Sequence, residues 1–527
     1  MLTFVSFLAF TAFVAFYAWY KLRKDNLSSQ DGYFLGGRSL TGVVIAGSML
    51  LTNISTEHLI GLNGSAYKNG FPVIAWEVTS AIALIVAALY FVPRYLKMGL
   101  TTIPQYLEYR YDGLTRTIVA LFLILSFIFT LLPIVLFTGA INLESIFNIS
   151  EVLGVSRAEG LWITVVLIGV IGSIYAIFGG LKAVAYSDTI NGYGLLLGGL
   201  LVPILALVQI GDGNPLDGLL KVYHFAPAKF NVIGAPDSVM PFEVLFTGLI
   251  INQLYFWCMH QTIIQRALGA KNLIEAQKGL LLTGVLKILI PIIIMLPGVI
   301  GFYYFGDSLY DMQDSVYPEL VKRVLPVGLI GFFAAVVMGA VLSTFNSVLN
   351  SAATIFSVGI YKRHLKKNAT EQTLVRVGKI TSSILAGFAI MVAPFVANAP
   401  EGLYQLLQVL NGIFFIPVAS IILAGFFLPR VSAAGAKSAI FVGLAFYVTT
   451  TFILKVNIHF IHIWGIEFIL NLIVMFVVSY FYPVKRTFNI ADVQVVDMHH
   501  WKYAKPMGLS LIAITILIYI LLGQAGR

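Results

Sequence analysis

The chain has 527 residues, 59% of them hydrophobic and 11% charged, with a formal net charge of +9. Soluble domains carry about 25% charged residues, so this composition excludes an ordinary soluble protein and points to a polytopic chain embedded in a lipid bilayer. Lys and Arg are scattered through short segments with no basic face, which excludes nucleic acid as a partner, and the single Cys258 excludes an intramolecular disulfide framework.

An all-α fold follows. Apolar segments near the roughly 20 residues that a bilayer demands predict about fourteen transmembrane helices, at 2–22, 40–62, 72–96, 115–147, 157–178, 184–210, 240–265, 278–306, 325–359, 374–394, 402–428, 434–455, 459–483 and 507–524. The first segment lacks a basic leader and a small-residue cleavage site, and it ends in Lys21, Arg23 and Lys24, so it reads as a retained helix. With the N-terminus outside, 24 of the 33 Lys and Arg fall on the cytoplasmic side and 8 on the external side; Lys287 alone falls within a span. That bias obeys the positive-inside rule and predicts a multi-pass plasma (inner) membrane protein. The longest cytoplasmic stretch, around 483–506, is expected along the membrane surface with Trp501 at the interface.

The second predicted helix carries LLTNISTEHLI from Leu50 to Ile60. Asn, Ser and Thr compete for backbone hydrogen bonds, and Glu and His are costly at membrane depth. This fits a helix that unwinds near Asn53 to line a solute site, and equally an ordinary span with its polar face against protein. Glu57 has no evident partner. The third helix holds Glu77 and the eighth Lys287, each costing about 3 kcal/mol in hydrocarbon unless paired or hydrated. They fit a shared polar cavity that binds a polar solute, or a structural ion pair. Asp188 opens the sixth helix, where it attracts sodium or caps a helix N-terminus. The seventh carries Asn252, Gln253, Tyr255, Trp257, His260 and Gln261. Polar breaks in helices two and seven, five helices apart, point to an inverted five-plus-five repeat with discontinuous helices. The repeats span 40–210 and 240–428 of a single transmembrane domain, preceded by an extra helix and loop (1–39) and followed by additional helices (434–527).

In the ninth helix, Ser343 and Thr344 place adjacent hydroxyls in an apolar run. With carbonyls freed at Leu51 and Ile54 and that of Ala340, they make a sodium shell of the broken-helix type; alternatively they bond back to their own helix. No Walker A, HExxH or Gly-x-Ser-x-Gly sequence is present, so ATP-driven pumping and hydrolase chemistry lack support and no enzyme is expected.

Several stretches together resemble the solute:sodium symporter family, and within it the sodium–glucose cotransporter branch. They are YFLGGRSL (33–40), TNISTEHLIGLNGSAY (52–67), IPQYLEYRY (103–111), YAIFGGLKAVAYSD (175–188), LYFWCMHQTIIQRALGAKNLIEAQKG (254–279), LKILIPIIIMLPG (286–298) and STFNSVLNSAATIF (343–356). The resemblance implies inward transport of a small solute, of the hexose type, driven by sodium as the coupling ion. It implies sodium ligands at Leu51, Ile54, Ala340, Ser343 and Thr344, and a sodium path past Asp188. It implies solute contacts at His58, Glu77, Ser80, Lys287 and Gln408, to which Gln253 and Phe256 of the seventh helix are added. Phe256 and Trp257 stand where the family keeps an inner aromatic gate, commonly Tyr before Trp. Leu131 falls where some bacterial members keep a sugar-contacting Asn. The alternatives are a carrier of the same family for an organic acid, amino acid, nucleoside or inositol, and, in another class, a channel or a sensor without transport. No obligate protein partner is expected.

Overall fold

The computed structural model describes residues 2–23, 27–398, 403–484 and 488–526. Among these, every regular element is helical, and two β-bridges, Leu40 with Ala270 and Asn272 with Asp497, stand isolated. Eleven helices are long and apolar enough to cross a bilayer, and a twelfth span results if Gly42–Asn53 and Glu57–Asn69 count as one, bent by 64°. The expected start of the eleventh span, at 402, lies outside the described residues; that helix is described from Leu403 to Phe427.

Burial sorts the helices into a core and a periphery. The apolar windows of Phe71–Lys97 and Leu273–Phe305 are each 72% buried, whereas that of Leu2–Leu22 is 11% buried. Phe4, Phe13, Phe16 and Trp19 of that outer helix are exposed. Lipid tails are as apolar as Leu, so exposure there carries no hydrophobic penalty, and helices without polar work to do can stay outside. The polar residues sit on the inner helices, where protein groups can satisfy them.

Two expectations change. The segments 157–178 and 184–210 form one helical run, Arg157–Ile210, broken at a single residue, Gly180 (φ 59°, ψ −168°). Fifty-four residues at 1.5 Å each would extend about 80 Å, more than twice the hydrocarbon thickness of about 30 Å, so the run must fold at this point. Glycine is required there, because a Cβ would lie 2.6 Å from the Tyr33 carbonyl oxygen. The Tyr33 hydroxyl donates to the carbonyls of Ala176 (3.1 Å) and Ile177 (3.0 Å), groups that the break leaves short of partners. Asp188 therefore lies inside a helix and is no N-terminal cap.

The described part of the stretch 483–506 packs against the ends of core helices. The Val493 N–H donates to the Lys97 carbonyl (3.0 Å) and the Leu273 N–H to that of Asp497 (2.9 Å). The Trp501 N–H donates to Oε1 of the buried Gln277 (2.8 Å). The segment thus satisfies polar groups at the ends of two core helices, including a helix N-terminus that lacks intrahelical partners.

Candidate solute and sodium site

Two broken helices frame the centre of the molecule. In the first, Ile54 leaves the helix (φ −89°, ψ 90°) and a π-helical turn begins at Glu57. The side chains named in the sequence carry this break: Ser55 donates to the Glu57 carboxylate, Thr56 bonds Thr138 (2.7 Å), and Asn63 donates to the Ile294 carbonyl (2.7 Å). The second is Gly248–Cys258 followed by Gln261–Leu268, with Met259 and His260 non-helical between them. Gln261 accepts from the Ile103 N–H (2.8 Å), and Thr262 bonds His260 Nδ1 (2.5 Å). Neither break uses proline. Polar side chains at each break bond one another and neighbouring helices.

Glu77, on Phe71–Lys97, and Lys287, on Leu273–Phe305, form a direct ion pair, each side chain 1% exposed. Lys287 Nζ also donates to Asn53 Oδ1 (2.5 Å) and lies 5.4 Å from the centre of the Trp257 ring. His58 continues the cluster: its Nε2 is 3.9 Å from Glu77 Oε1 and its Nδ1 is 3.7 Å from Glu57 Oε1. Glu57, for which the sequence offered no partner, therefore belongs to the same cavity. The ion-pair reading of Glu77 and Lys287 holds, and the pair lines the cavity.

Gln253 donates to the Trp76 carbonyl (2.8 Å) and accepts from Trp257 Nε1 (3.1 Å), which fixes both aromatic walls. Phe256 stacks on His260, ring centres 5.2 Å apart. Leu131, Phe256 and Gln408 reach the cavity wall, as do His58, Glu77, Lys287, Gln253 and Trp257. Ser80 does not: its hydroxyl donates to the Glu77 backbone carbonyl, and the neighbouring Thr79 meets Gln253 instead (3.2 Å). The free cavity is about 50 Å³, space for a few waters at about 10–15 Å³ each.

Beside this cavity, Val327–Thr354 packs along the first break. The hydrogen bonds that bridge the break leave the Leu51 and Ile54 carbonyls without a backbone donor. Thr344 donates to the Thr52 carbonyl (2.9 Å), which ties the two helices together. The buried Ser343 hydroxyl has no hydrogen-bond partner of ordinary geometry. Ala340 is fully buried on the same helix, one turn before Thr344. Neutral oxygens of this kind are chemically suited to a hard monovalent cation, and the Thr344–Thr52 bond holds the two helices that carry them side by side.

Asp188 joins this region through an arginine that sequence reasoning missed. The Asp188 carboxylate accepts from Ser48 (2.6 Å) and lies 3.6 Å from Arg266, both charged groups being almost fully buried. Arg266 also donates to Ser48 (2.9 Å) and to Ser347, and Ser347 bonds Thr52 (3.1 Å) and the Ser343 carbonyl (2.6 Å). Ending the seventh span at 265 had placed Arg266 in a loop. Tyr404 and Asn411 were missed as well. They sit four residues before and three after Gln408, so helical spacing puts all three on one face. Tyr404 packs against His58 (5.0 Å) and Trp76 (5.5 Å), and Asn411 accepts from Thr130 (3.3 Å). Gly61 permits this approach, since a Cβ there would stand 2.7 Å from Tyr404 Cβ.

The family comparison agrees with this architecture. The profile of the sodium:solute symporter family matches residues 33–443. The Uncharacterized symporter YidK of Escherichia coli K12 is 45% identical over 506 residues, covering 96% of this chain and 88% of that protein. The Sodium/glucose cotransporter of Vibrio parahaemolyticus is 32% identical over 445 residues, 80% of each chain. The Sodium/myo-inositol cotransporter of Bos taurus is 32% identical over 453 residues, 78% of this chain and 61% of that one. Among solved structures, a Na+-coupled sialic acid symporter in a substrate-bound outward-open state superposes with a TM-score of 0.77 at 21% identity, covering 92% of this chain and 99% of that one, which shows a shared fold. With its membrane-spanning helices and this breadth of match, the chain belongs to the sodium:solute symporter family, transporters rather than enzymes.

Proposed function

We propose that this protein imports a small polyhydroxyl solute, a hexose or an inositol, by sodium-driven alternating access. The observation that carries the reading is the mixed ring of donors and acceptors formed by Glu77, Lys287, Asn53, His58 and Gln408, set beside the oxygen-lined break. Each sugar hydroxyl both donates and accepts, so carboxylates and an ammonium in one cavity suit it. Two carboxylates, Glu57 and Glu77, face one ammonium, and this negative balance opposes an organic anion. The relatives that carry glucose and myo-inositol in their names agree with that choice.

Taking Arg157–Ile210 as two spans, and each broken helix as one, brings the count to fourteen. The breaks then hold matching places in inverted repeats over 40–210 and 240–428, with the N-terminus outside the inner membrane. Sodium binds the carbonyls of Leu51, Ile54 and Ala340 and the hydroxyls of Ser343 and Thr344. Because Thr344 already joins the two helices through Thr52, an ion held there strengthens a contact between the repeats. Asp188 lies on the inner path of the ion. Solute binds His58, Glu77, Lys287, Gln408 and Gln253, while Phe256 and Trp257 cover it from the cytoplasmic side; Ser80 supports Glu77 through its backbone. A cavity of about 50 Å³ cannot admit a hexose, so the site must open on one side or the other. Joint occupancy selects between the two states by differential affinity. One sodium charge moving inward contributes about 2.3 kcal/mol per 100 mV.

The test is reconstitution in proteoliposomes with an imposed sodium gradient and a panel of labelled hexoses, inositols and organic acids, with potassium as control. Uptake of hexose or inositol that requires sodium is expected. Uptake confined to organic acids, or indifferent to the gradient, overturns the reading.

A further inference from the structure

A further buried carboxylate lies outside the solute cavity and takes no part in the cycle above. Glu467, on Phe460–Phe481, is 0% exposed. Neither of its carboxylate oxygens has a hydrogen-bond partner of ordinary geometry, and among the described residues no cation pairs with it. It is not alone in being unsatisfied. Thr451 Oγ1, Trp464 Nε1 and Asn471 Oδ1 are also buried without partners. Asn471 and Tyr447 stand beside the carboxyl, and Tyr447 in turn meets Trp464 and Thr451. These residues make one polar cluster where Ala433–Val448, continued by Thr449–Ile453, packs on Phe460–Phe481.

The groups facing it from each neighbouring element are few. From Ala433–Val448 the titratable neighbour is Tyr447, whose hydroxyl donates to the Val409 carbonyl (2.8 Å). Leu403–Phe427 presents Ser420, which accepts from Asn471 (3.2 Å). On Gly248–Cys258, the Tyr255 ring packs on Phe415 (4.4 Å), and Cys258 donates to the Ala83 carbonyl. On its own helix, His462 and His459 lie five and eight residues away and bond Thr247 (3.0 Å) and the Val239 carbonyl (3.2 Å). None of these supplies a positive charge to the carboxyl.

An ionised carboxylate buried without a cation costs several kcal/mol, and such groups take up a proton instead. We propose that Glu467 is a proton-binding site: in this conformation it is a neutral carboxylic acid. The proton, taken from water, bonds to one carboxylate oxygen, and the resulting O–H becomes a donor for the unpartnered oxygen of Asn471. This converts a cluster rich in acceptors into one with a matching donor. The site adjoins the solute cavity across a single helix. A Cβ at Gly412 would stand 2.2 Å from Trp464 Nε1 and 2.6 Å from the Tyr447 hydroxyl, and the preceding residue, Asn411, lines the cavity. Trp464 also packs on Trp76, ring centres 6.4 Å apart. Loss of the proton would place an unpaired charge against the helix that carries Gln408.

The test reads the proton directly, without transport. Infrared spectra of the purified protein at neutral pH are compared for wild type and Glu467→Gln, in choline and then in sodium. A protonated-carboxyl C=O band is expected in wild type, unchanged by sodium and missing from Glu467→Gln. Gln has the shape and neutrality of the acid, so the Tm of this variant should equal or exceed that of wild type. Should Glu467→Gln fail to express, Glu467→Asp must shift the band. A spectrum unaltered by both substitutions overturns the proposal. So does a band that sodium abolishes, because the occupant is then a metal cation.

Discussion

Lys287→Ala and Glu77→Ala, alone and together, probe the ion pair at the centre of the cavity. Both side chains are 1% exposed, so removing either one strands a charge away from bulk water. At an effective dielectric constant of about 20, opposite charges 4 Å apart attract by about 4 kcal/mol. Loss of one partner of a buried pair typically costs about 3–5 kcal/mol, whereas loss of both is far milder. Lys287 would retain Asn53 Oδ1 at 2.5 Å, and Glu77 would retain His58 at 3.9 Å, which keeps the single-variant costs at the lower end of that range. Thermal or denaturant unfolding in detergent measures the three variants against wild type. The double variant should recover at least 2 kcal/mol of the summed single losses, an order-of-magnitude coupling for neighbouring charges. Strictly additive losses would refute the claim that the two residues act as one buried pair. Solute uptake should be absent from all three, because a hydrogen bond to a charged group contributes about 1.5–3 kcal/mol and both charges face the solute. Glu77→Gln is the gentler companion: it keeps the shape, and solute affinity should fall about tenfold to a hundredfold.

Further outcomes follow from other contacts. Ser343→Ala combined with Thr344→Ala should raise the sodium concentration for half-maximal uptake by at least about tenfold, taking roughly 1 kcal/mol per hydroxyl; an unchanged sodium curve would remove these two from the ion site. Arg266→Met should destabilise the protein by about 3–5 kcal/mol, because it leaves Asp188 buried beside Ser48 without its cation, and Arg266→Met with Asp188→Asn should recover part of that loss. Gly61→Ala should reduce uptake while the purified protein stays helical by circular dichroism, since its methyl group would push Tyr404 away from His58; normal uptake would show that this approach has slack. Burial raises the Asp112 carboxyl, but the bonds from Lys437 (2.6 Å) and the Thr115 amide (2.8 Å) outweigh it and hold the group below its ordinary range. That stabilisation is present above about pH 3.9 and is lost as pH falls through the lower folded value, so Asp112→Asn should flatten the acid limb of a stability profile by a margin reduced by solvent screening.

Much of the candidate site was legible because lipid makes polarity conspicuous. Glu77, Lys287, Asn53 and His58 stand in runs that are otherwise apolar, and no bilayer tolerates them without partners. Side chains whose role is ordinary in water were harder to read. Tyr404 and Asn411 resemble any helix surface until the helix is known to face inward, and Arg266 resembled a loop cation because its span was ended one residue early. Ser80 shows the converse: a plausible hydroxyl turned back to its own backbone, as serine in a helix readily does.

Composition and hydropathy by themselves determined a multi-pass helical membrane chain, and the polar interruptions marked the two helices that are broken. Those conclusions rest on local physics, namely the length of the hydrocarbon layer and the competition of Asn, Ser and Thr with backbone hydrogen bonds. Tertiary structure decided what the interruptions face. Only packing brought Asp188 to Arg266 across 78 residues and gave Glu57 its place in the cavity that Glu77 and Lys287 line. It also enclosed Glu467 where, among the described residues, no cation pairs with it. A charge in a membrane must find a partner, but the chain can bring that partner from any of its helices, and only their packing selects which one.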